Sequence, residues 1–516
     1  MSENSSLTRR VAGATLIVAV ISVASKFVGM LREMVVARTF GAGGDLDAFY
    51  VANTLPEMLS VMAFFVAINL FLPEYLAERE RSPESADRLA RAFMARAGIA
   101  FLGVALVLAL TAELIVDLVA PGLDPRLREL AVLSLRLLSV LVVLRGFDGS
   151  LRGLLHAHRR FVAPVLGMTL FSVTIMVFVL VFGRSWGILA LTVGWVVGGA
   201  APVLIMAVVA RNFLRGSGWR SHPLLATIAR RLPWLIAIEA LGLVIPLVDR
   251  ALASRSLDPG AISSLAFALV LQKLPFDVIG LTVAATLFPE FATLRARRKD
   301  KEFRALVRRG IRALVAVMLP AAALFWVLHE PLVRALFERG AFDAADTVLT
   351  GAALRGYALG LPFLGVSAVL MQAAYAWGNL RMLLSVRFAA LVVKFGVSLA
   401  LLPVLGHVGL ALGTSAFYLV FVLLLIRPMT GGFRGLVPRP LILFGATGIS
   451  ALVAWFGAAG LASRGWDSGV SGMVGLAVLV AVALGLYGVL CRVGKVEEVL
   501  WIEDMARRKL SRWRSE

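Results

Sequence analysis

The sequence predicts an all-α polytopic membrane protein with about fourteen transmembrane helices. Three observations lead there. The chain has 516 residues, of which 59% are hydrophobic and only 16% charged. Its mean hydropathy is +0.87, whereas a soluble domain carries roughly 25% charged residues. The apolar residues also fall in runs of about 20, the length that crosses a ~30 Å hydrocarbon core as a helix. This composition excludes a soluble multidomain enzyme and a disordered chain, which requires low hydrophobicity.

In chain order the candidate spans are roughly 11–37, 47–75, 93–119, 129–144, 161–183, 186–210, 232–250, 261–291, 313–333, 351–377, 382–404, 408–426, 440–463 and 470–491. Arg9 and Arg10 precede the first, and no small-residue cleavage site follows it, which predicts an uncleaved span. The longest polar connections, near 211–231 and 292–312, are too short for a soluble domain. With both termini placed inside, the inner segments hold 37 Lys and Arg and the outer segments ten. One miscounted span would destroy that alternation, so the positive-inside rule supports the count independently.

The formal charge of +20 therefore follows from topology and anionic headgroups rather than nucleic acid. The tail, 496–516, mixes Val499, Ile502 and Trp513 with Arg507, Arg508 and Lys509, which predicts a basic amphipathic helix on the inner surface. Cys491 is the sole cysteine, and the five histidines form no HExxH pattern. No Walker phosphate loop is present, so neither metal nor hydrolytic chemistry is expected, and no catalytic residue is assigned.

Two stretches resemble each other. Ala48-Phe49, Leu55-Pro56 and Pro73-Glu74-Tyr75 in the second span match Ala266-Phe267, Leu274-Pro275 and Pro289-Glu290-Phe291 in the eighth. They lie six helices apart, hence in the same orientation, as in transporters built from parallel repeats. Gly194-x3-Gly198 and Gly409-x3-Gly413 fit close helix packing.

A charged side chain inside a span costs at least ~2.5–3.5 kcal/mol and marks a cavity or a function. The cationic ones are Lys26, Arg32, Arg136, Lys273 and Lys394; the acidic ones are Glu33, Glu57, Glu113, Asp117, Glu239, Asp249 and Asp277. Arg32 and Glu33 are adjacent and expected to point apart. Lys273 and Asp277, four apart, are neighbours able to pair. Arg136 is expected to snorkel toward an interface. A basic chamber formed by Lys26, Arg32 and Lys273 favours an anionic cargo such as a pyrophosphate head. Glu57, Glu239, Asp277 and Lys394 are candidates for gating or ion coupling, with a possible coupling cation of unknown identity.

At specific blocks the chain resembles the MurJ/MviN family of lipid II flippases in the MOP exporter superfamily. These are Ser25-Lys26-Phe27-Val28-Gly29-Met30-Leu31-Arg32-Glu33, Ala37-Arg38-Thr39-Phe40-Gly41-Ala42 and Asp47-Ala48-Phe49. Further blocks are Arg159-Arg160-Phe161, Leu336-Phe337-Glu338-Arg339-Gly340-Ala341-Phe342, Tyr375-Ala376-Trp377-Gly378-Asn379 and His407-Val408-Gly409-Leu410-Ala411. The resemblance implies two six-helix lobes in pseudo-twofold arrangement around a cationic cavity, 1–215 and 216–430, with two extra helices in 431–495. It implies a flippase, not an enzyme, that moves an undecaprenyl-pyrophosphate-linked peptidoglycan precursor outward across the bacterial inner membrane. The implied partners are that lipid-linked glycan, membrane lipids and the cell-wall synthesis machinery.

Carried over by position, Lys26 stands where the family usually has arginine, Arg32 matches a functional arginine and Asp47 a family aspartate; Ser25 and Glu33 complete the substrate-binding set. Ser60, Val61 and Phe65 stand where the family has an Arg-Arg pair and an acidic residue. Val270 replaces a substrate-facing arginine, with Lys273 one turn away as a partial substitute. A flippase for another polyprenyl-linked oligosaccharide is thus the alternative, and a cation-coupled multidrug antiporter, which wants an acidic cavity, a more distant one.

Overall fold

A computed structural model describes residues 21, 24–158, 160–216, 221–433, 435–437, 439–465 and 469–499, with the side chains of 234, 235, 238, 239, 242, 243, 285 and 380 excluded. The described chain is helical throughout; it contains one isolated bridge, Arg339 to Phe342, and no strand. It divides into two compact units, Met1–Ser263 and Ser264–Glu516.

The first unit contains α1 (24–40), α2 (Gly44–Val66), a π segment at Ala67–Phe71, α3 (Leu72–Arg81), α4 (Pro83–Leu110), α5 (Ala112–Val119), α6 (Pro125–Ala157), α7 (Val162–Trp186), α8 (Ile188–Leu214) and α9 (Leu224–Ser256). The division falls in α10 (Ala261–Pro275). The second unit continues with a π segment at Phe276–Gly280, α11 (Leu281–Ala296), α12 (Asp300–Val327), α13 (His329–Phe337), α14 (Ala344–Ala358), α15 (Leu361–Trp377), α16 (Leu380–Leu405), α17 (His407–Thr430), α18 (Pro440–Ala462) and α19 (Gly469–Val493).

Among the described residues, eleven helices are long and apolar enough to cross a membrane, or twelve if α14 and α15, bent by 47°, make one span. Two expected spans, 11–37 and 232–250, run through residues or side chains outside the described set, so the total of fourteen is not reached among the described residues. The helices overrun the apolar runs because their basic inner ends stay helical. The fourth shows this most: α6 covers Pro125–Ala157 where the apolar run alone marked 129–144. Large apolar side chains lie outside, with Leu110, Leu114 and Leu118 all about three-quarters exposed, as lipid-facing residues should be. Only 496–499 of the expected tail 496–516 falls among the described residues.

The weak sequence repeat corresponds to a full structural one. Each unit holds a long helix with an inserted π segment, since a proline deletes an N–H and frees the backbone to change register. A 28-residue helix follows, breaks at one residue (Thr111 or Leu328) and resumes as a short helix. An aspartate cap, Asp124 or Asp343, then opens the next helix. Further along, α7 and α8, and likewise α16 and α17, are joined by one glycine, Gly187 or Gly406, both at φ +55°, where a side chain would clash with its own backbone. Phe49 and Phe267, the aromatics of the matched Ala-Phe pairs, are both buried, as are Tyr75 and Phe291.

Close glycine packing also appears as expected. A Cβ on Gly198 would lie 3.0 Å from the Phe171 carbonyl, and one on Gly413 2.1 Å from Ser398 Oγ.

Candidate functional site

Two arginines of the first unit, Arg32 and Arg145, meet at one aromatic wall. Arg32 on α1 is mostly buried, with its guanidinium 5.7 Å from the Phe171 ring of α7 and 5.4 Å from the Trp195 ring of α8. It binds Glu33, Nη2 to Oε1 at 2.5 Å and Nε to Oε1 at 3.1 Å. This corrects the expectation that the two point apart: adjacent Cα–Cβ bonds diverge, but the long arginine stem curls back onto its neighbour. Glu33 is buried, and a buried carboxylate needs such a partner.

Arg145 on α6 approaches the same Phe171 ring at 4.3 Å and is buried. Its Nη1 lies 3.9 Å from Met168 Sδ. Arg32, Asp148, Arg152 and Glu57 are all close enough to act on its charge. Asp148 binds Arg152 one turn on, at 3.0 Å, with both side chains mostly buried. Sequence reasoning missed Arg145, because the apolar run ends there and the residue was counted in an inner loop. The available signal was the continued helical spacing of Leu151, Leu154 and Leu155, all buried on the same helix.

A third cation, Arg250, stands at the outer limit of the expected span 232–250 and lies on α9. It is half-buried on the helix, donates to Thr54 Oγ1, and lies in electrostatic reach of Tyr50, Glu57, Asp249 and Asp47. Glu57, just after Pro56 of α2, is exposed and is the carboxylate that acts on both Arg145 and Arg250. An accessible carboxylate in mid-span requires a wet or polar surrounding. Three guanidinium groups near one such surface can bind phosphate oxygens bidentately.

Asp47 is buried at 3% exposure and accepts hydrogen bonds from the N–H groups of Gly260 (2.6 Å) and Ser263 (2.7 Å). Its carboxylate thus caps the start of α10, where orphan donors and the helix dipole favour negative charge. Gly260 has φ +99°, and a Cβ there would lie 2.4 Å from the Ala42 carbonyl.

The remaining candidates are dispersed. Lys26 is exposed, and Ser25 half-buried, near the described start of α1. Arg136 meets Glu113 at 2.9 Å across α5 and α6, and Arg128 meets Asp117 at 2.6 Å, all largely exposed; Arg136 is held by that partner rather than snorkelling alone. In the second unit Lys273 is exposed on the last turn of α10, and Asp277 lies in the π segment. Lys394 is fully buried on α16. The side chain of Glu239 on α9 lies outside the described residues. Ser60, at a family arginine position, donates to the Pro56 carbonyl at 2.7 Å, and among the described residues no group of three His, Cys, Asp or Glu could hold a metal.

A sequence model described as "Lipid II flippase MurJ" matches residues 36–473. A Synechocystis protein named "Probable lipid II flippase MurJ" is 27% identical over 99% of this chain and 100% of its own length. The Burkholderia cenocepacia "Lipid II flippase MurJ" is 25% identical over 77% of this chain and 80% of its own. Among solved structures, a lipid II flippase MurJ in an inward closed conformation aligns with TM-score 0.77 and 19% identity, covering 92% of this chain and 99% of that one. An inward-facing multidrug resistance MATE family transporter of the MOP superfamily aligns with TM-score 0.62 and 16% identity, over 78% and 96%. At these identities both structures speak to the fold alone.

Proposed function

Because this chain belongs to the MurJ family of lipid II flippases, we propose that it carries an undecaprenyl-pyrophosphate-linked peptidoglycan precursor, lipid II, from the inner to the outer leaflet of the bacterial inner membrane. The observation that carries this reading is the meeting of Arg32 and Arg145 at the Phe171 ring, with Arg145 and Arg250 both in reach of Glu57. A diphosphate presents several anionic oxygens, and planar guanidinium groups bind them in pairs. Arg145 and Arg250 supply the positive charge that Ser60, Val61 and Val270 do not.

The headgroup is held by these arginines, with Lys26 and Lys273 as further cations, while the polyprenyl tail stays in the bilayer. Alternating access then exposes the head outward, with 1–215 and 216–430 acting as the lobes, and Glu57, Glu239, Asp277 and Lys394 as gating or coupling groups. Both termini lie in the cytoplasm, and the tail 496–516 rests on the inner surface. No bond is broken, so the protein is a transporter rather than a catalyst. With the interior negative, each uncompensated negative charge moved outward gains ~2.3 kcal/mol per 100 mV, so the membrane potential helps to drive export to the extent that cationic side chains stay behind. The cell-wall synthesis machinery consumes the exported lipid.

A second reading, transport of another polyprenyl-linked oligosaccharide, rests on the residues at the family's arginine positions. Reconstituted protein flipping labelled lipid II, with at least a tenfold loss in Arg145→Ala, is the expected result. Depletion that accumulates a different lipid-linked glycan, with lipid II export intact, would overturn it.

A further inference from the structure

In the second unit, one face of α12 changes character along its length. Arg304, Arg308 and Arg312 are followed at helical spacing by Val315, Leu319 and Trp326. The basic end borders a cleft of about 700 Å³ that also takes in Lys301, Arg309, and Thr430 and Gly431 at the end of α17. The apolar end borders a groove of about 540 Å³ that includes Val422 and Ile426 of the same α17. Arg308 donates to the Thr430 carbonyl at 2.7 Å, so the two helices run antiparallel with their polar ends together, and cleft and groove follow one another as a path along the same helix pair.

We infer that this path is a binding site for an anionic glycerophospholipid of the inner leaflet, separate from the cargo site. The cleft holds five cations against two carboxylates, Glu497 and Glu498. Glu498 is engaged by Arg312 at 2.7 Å, while Lys301, Arg304 and Arg309 are exposed. A phosphate group fits that balance, and choline or ethanolamine adds a positive charge that does not.

Length argues for a lipid over a free phosphate. From Arg312 to Trp326 the face runs about 21 Å at 1.5 Å per residue, enough to accompany an acyl chain through one ~15 Å leaflet. The inner placement follows from the nine Lys and Arg in 292–312 and takes only the orientation from the proposed function, not the cargo.

Native mass spectrometry of the full chain released from detergent, titrated with phosphatidylglycerol or with phosphatidylcholine of matched chains, tests this. Saturable retention of one phosphatidylglycerol, at least about tenfold over phosphatidylcholine, is expected. Lys301→Ala combined with Arg304→Ala, and separately Leu319→Trp, should each lower retention about tenfold, whereas Arg32→Ala should not. Equal retention of the two lipids by the parent chain overturns the site without recourse to any variant. So does displacement by millimolar inorganic phosphate, which would reduce it to a phosphate cleft, or by equimolar undecaprenyl phosphate, which would assign it to the cargo.

Discussion

Arg32 and Arg145 share one aromatic surface: their guanidinium carbons lie 5.7 and 4.3 Å from the centroid of Phe171. Two cations held this close repel, and the π face together with Glu33, Glu57 and Asp148 offsets that repulsion. In the proposed function, the pair presents two positive groups to the diphosphate.

The first consequence concerns geometry rather than charge. Arg145→Lys retains the cation but loses the planar fork. It is expected to recover little of the transport lost in Arg145→Ala, about tenfold or more for each, measured by flipping of labelled lipid II in proteoliposomes. Full activity in the lysine variant would remove bidentate binding from the mechanism.

Phe171→Leu keeps an apolar side chain of somewhat smaller volume and deletes the π face. A cation–π contact is worth about 1 kcal/mol, so transport should fall roughly fivefold with little change in thermal stability. An unaltered rate would mean that the ring serves packing alone.

Asp47→Ala strands the N–H groups of Gly260 and Ser263. A buried unsatisfied donor costs about 1–3 kcal/mol. Hydrogen exchange should therefore accelerate at 260–263 and the melting temperature should fall. Unchanged exchange there would show that another group takes over the cap.

Gly413→Leu places a side chain where a Cβ already lies 2.1 Å from Ser398 Oγ and 3.0 Å from the Lys394 carbonyl. Overpacking of this kind costs about 1–3 kcal/mol or more. Gly445→Ala, with nothing within 4 Å of the new Cβ, is the control and should leave thermal unfolding near that of the parent.

At the end of α6, His158 stacks on Phe213 at 3.7 Å and shares a 2.8 Å hydrogen bond with Tyr75 Oη, which also donates to Asp87 at 3.0 Å. Burial, reinforced by Arg79 and Arg160, pushes its imidazole down to about 4. The folded side chain is thus neutral where the unfolded chain, with an ordinary value near 6.5, takes up a proton. Above about pH 6.5 it contributes no pH dependence, and as pH falls from there toward 4 it makes the fold less stable. Subtracting the pH profile of His158→Gln from that of the parent should isolate this acid loss; identical profiles would refute it.

The membrane class, the all-helical fold and the positions of eleven or twelve spans among the described residues were legible in the sequence, since apolar runs and Lys/Arg asymmetry are local quantities that each segment carries alone. The matched Ala-Phe, Leu-Pro and Pro-Glu-aromatic pairs likewise announced a repeat, because Phe49 and Phe267 must be buried in the same way in each unit. Arg32 and Glu57 could be singled out because a charge amid apolar residues is costly wherever it points. What lay beyond the sequence was partnership. Arg145 and Arg250 sat at the edges of apolar runs and read as loop charges until α6 and α9 were seen to carry them inward. Asp47 was visible as a conserved-looking motif residue only through family likeness, and its task as the cap of a helix more than 200 positions away follows from folding alone. Hydropathy depends on what a residue is, whereas the environment of a charge depends on which distant helix lies against it, and only the tertiary structure fixes that.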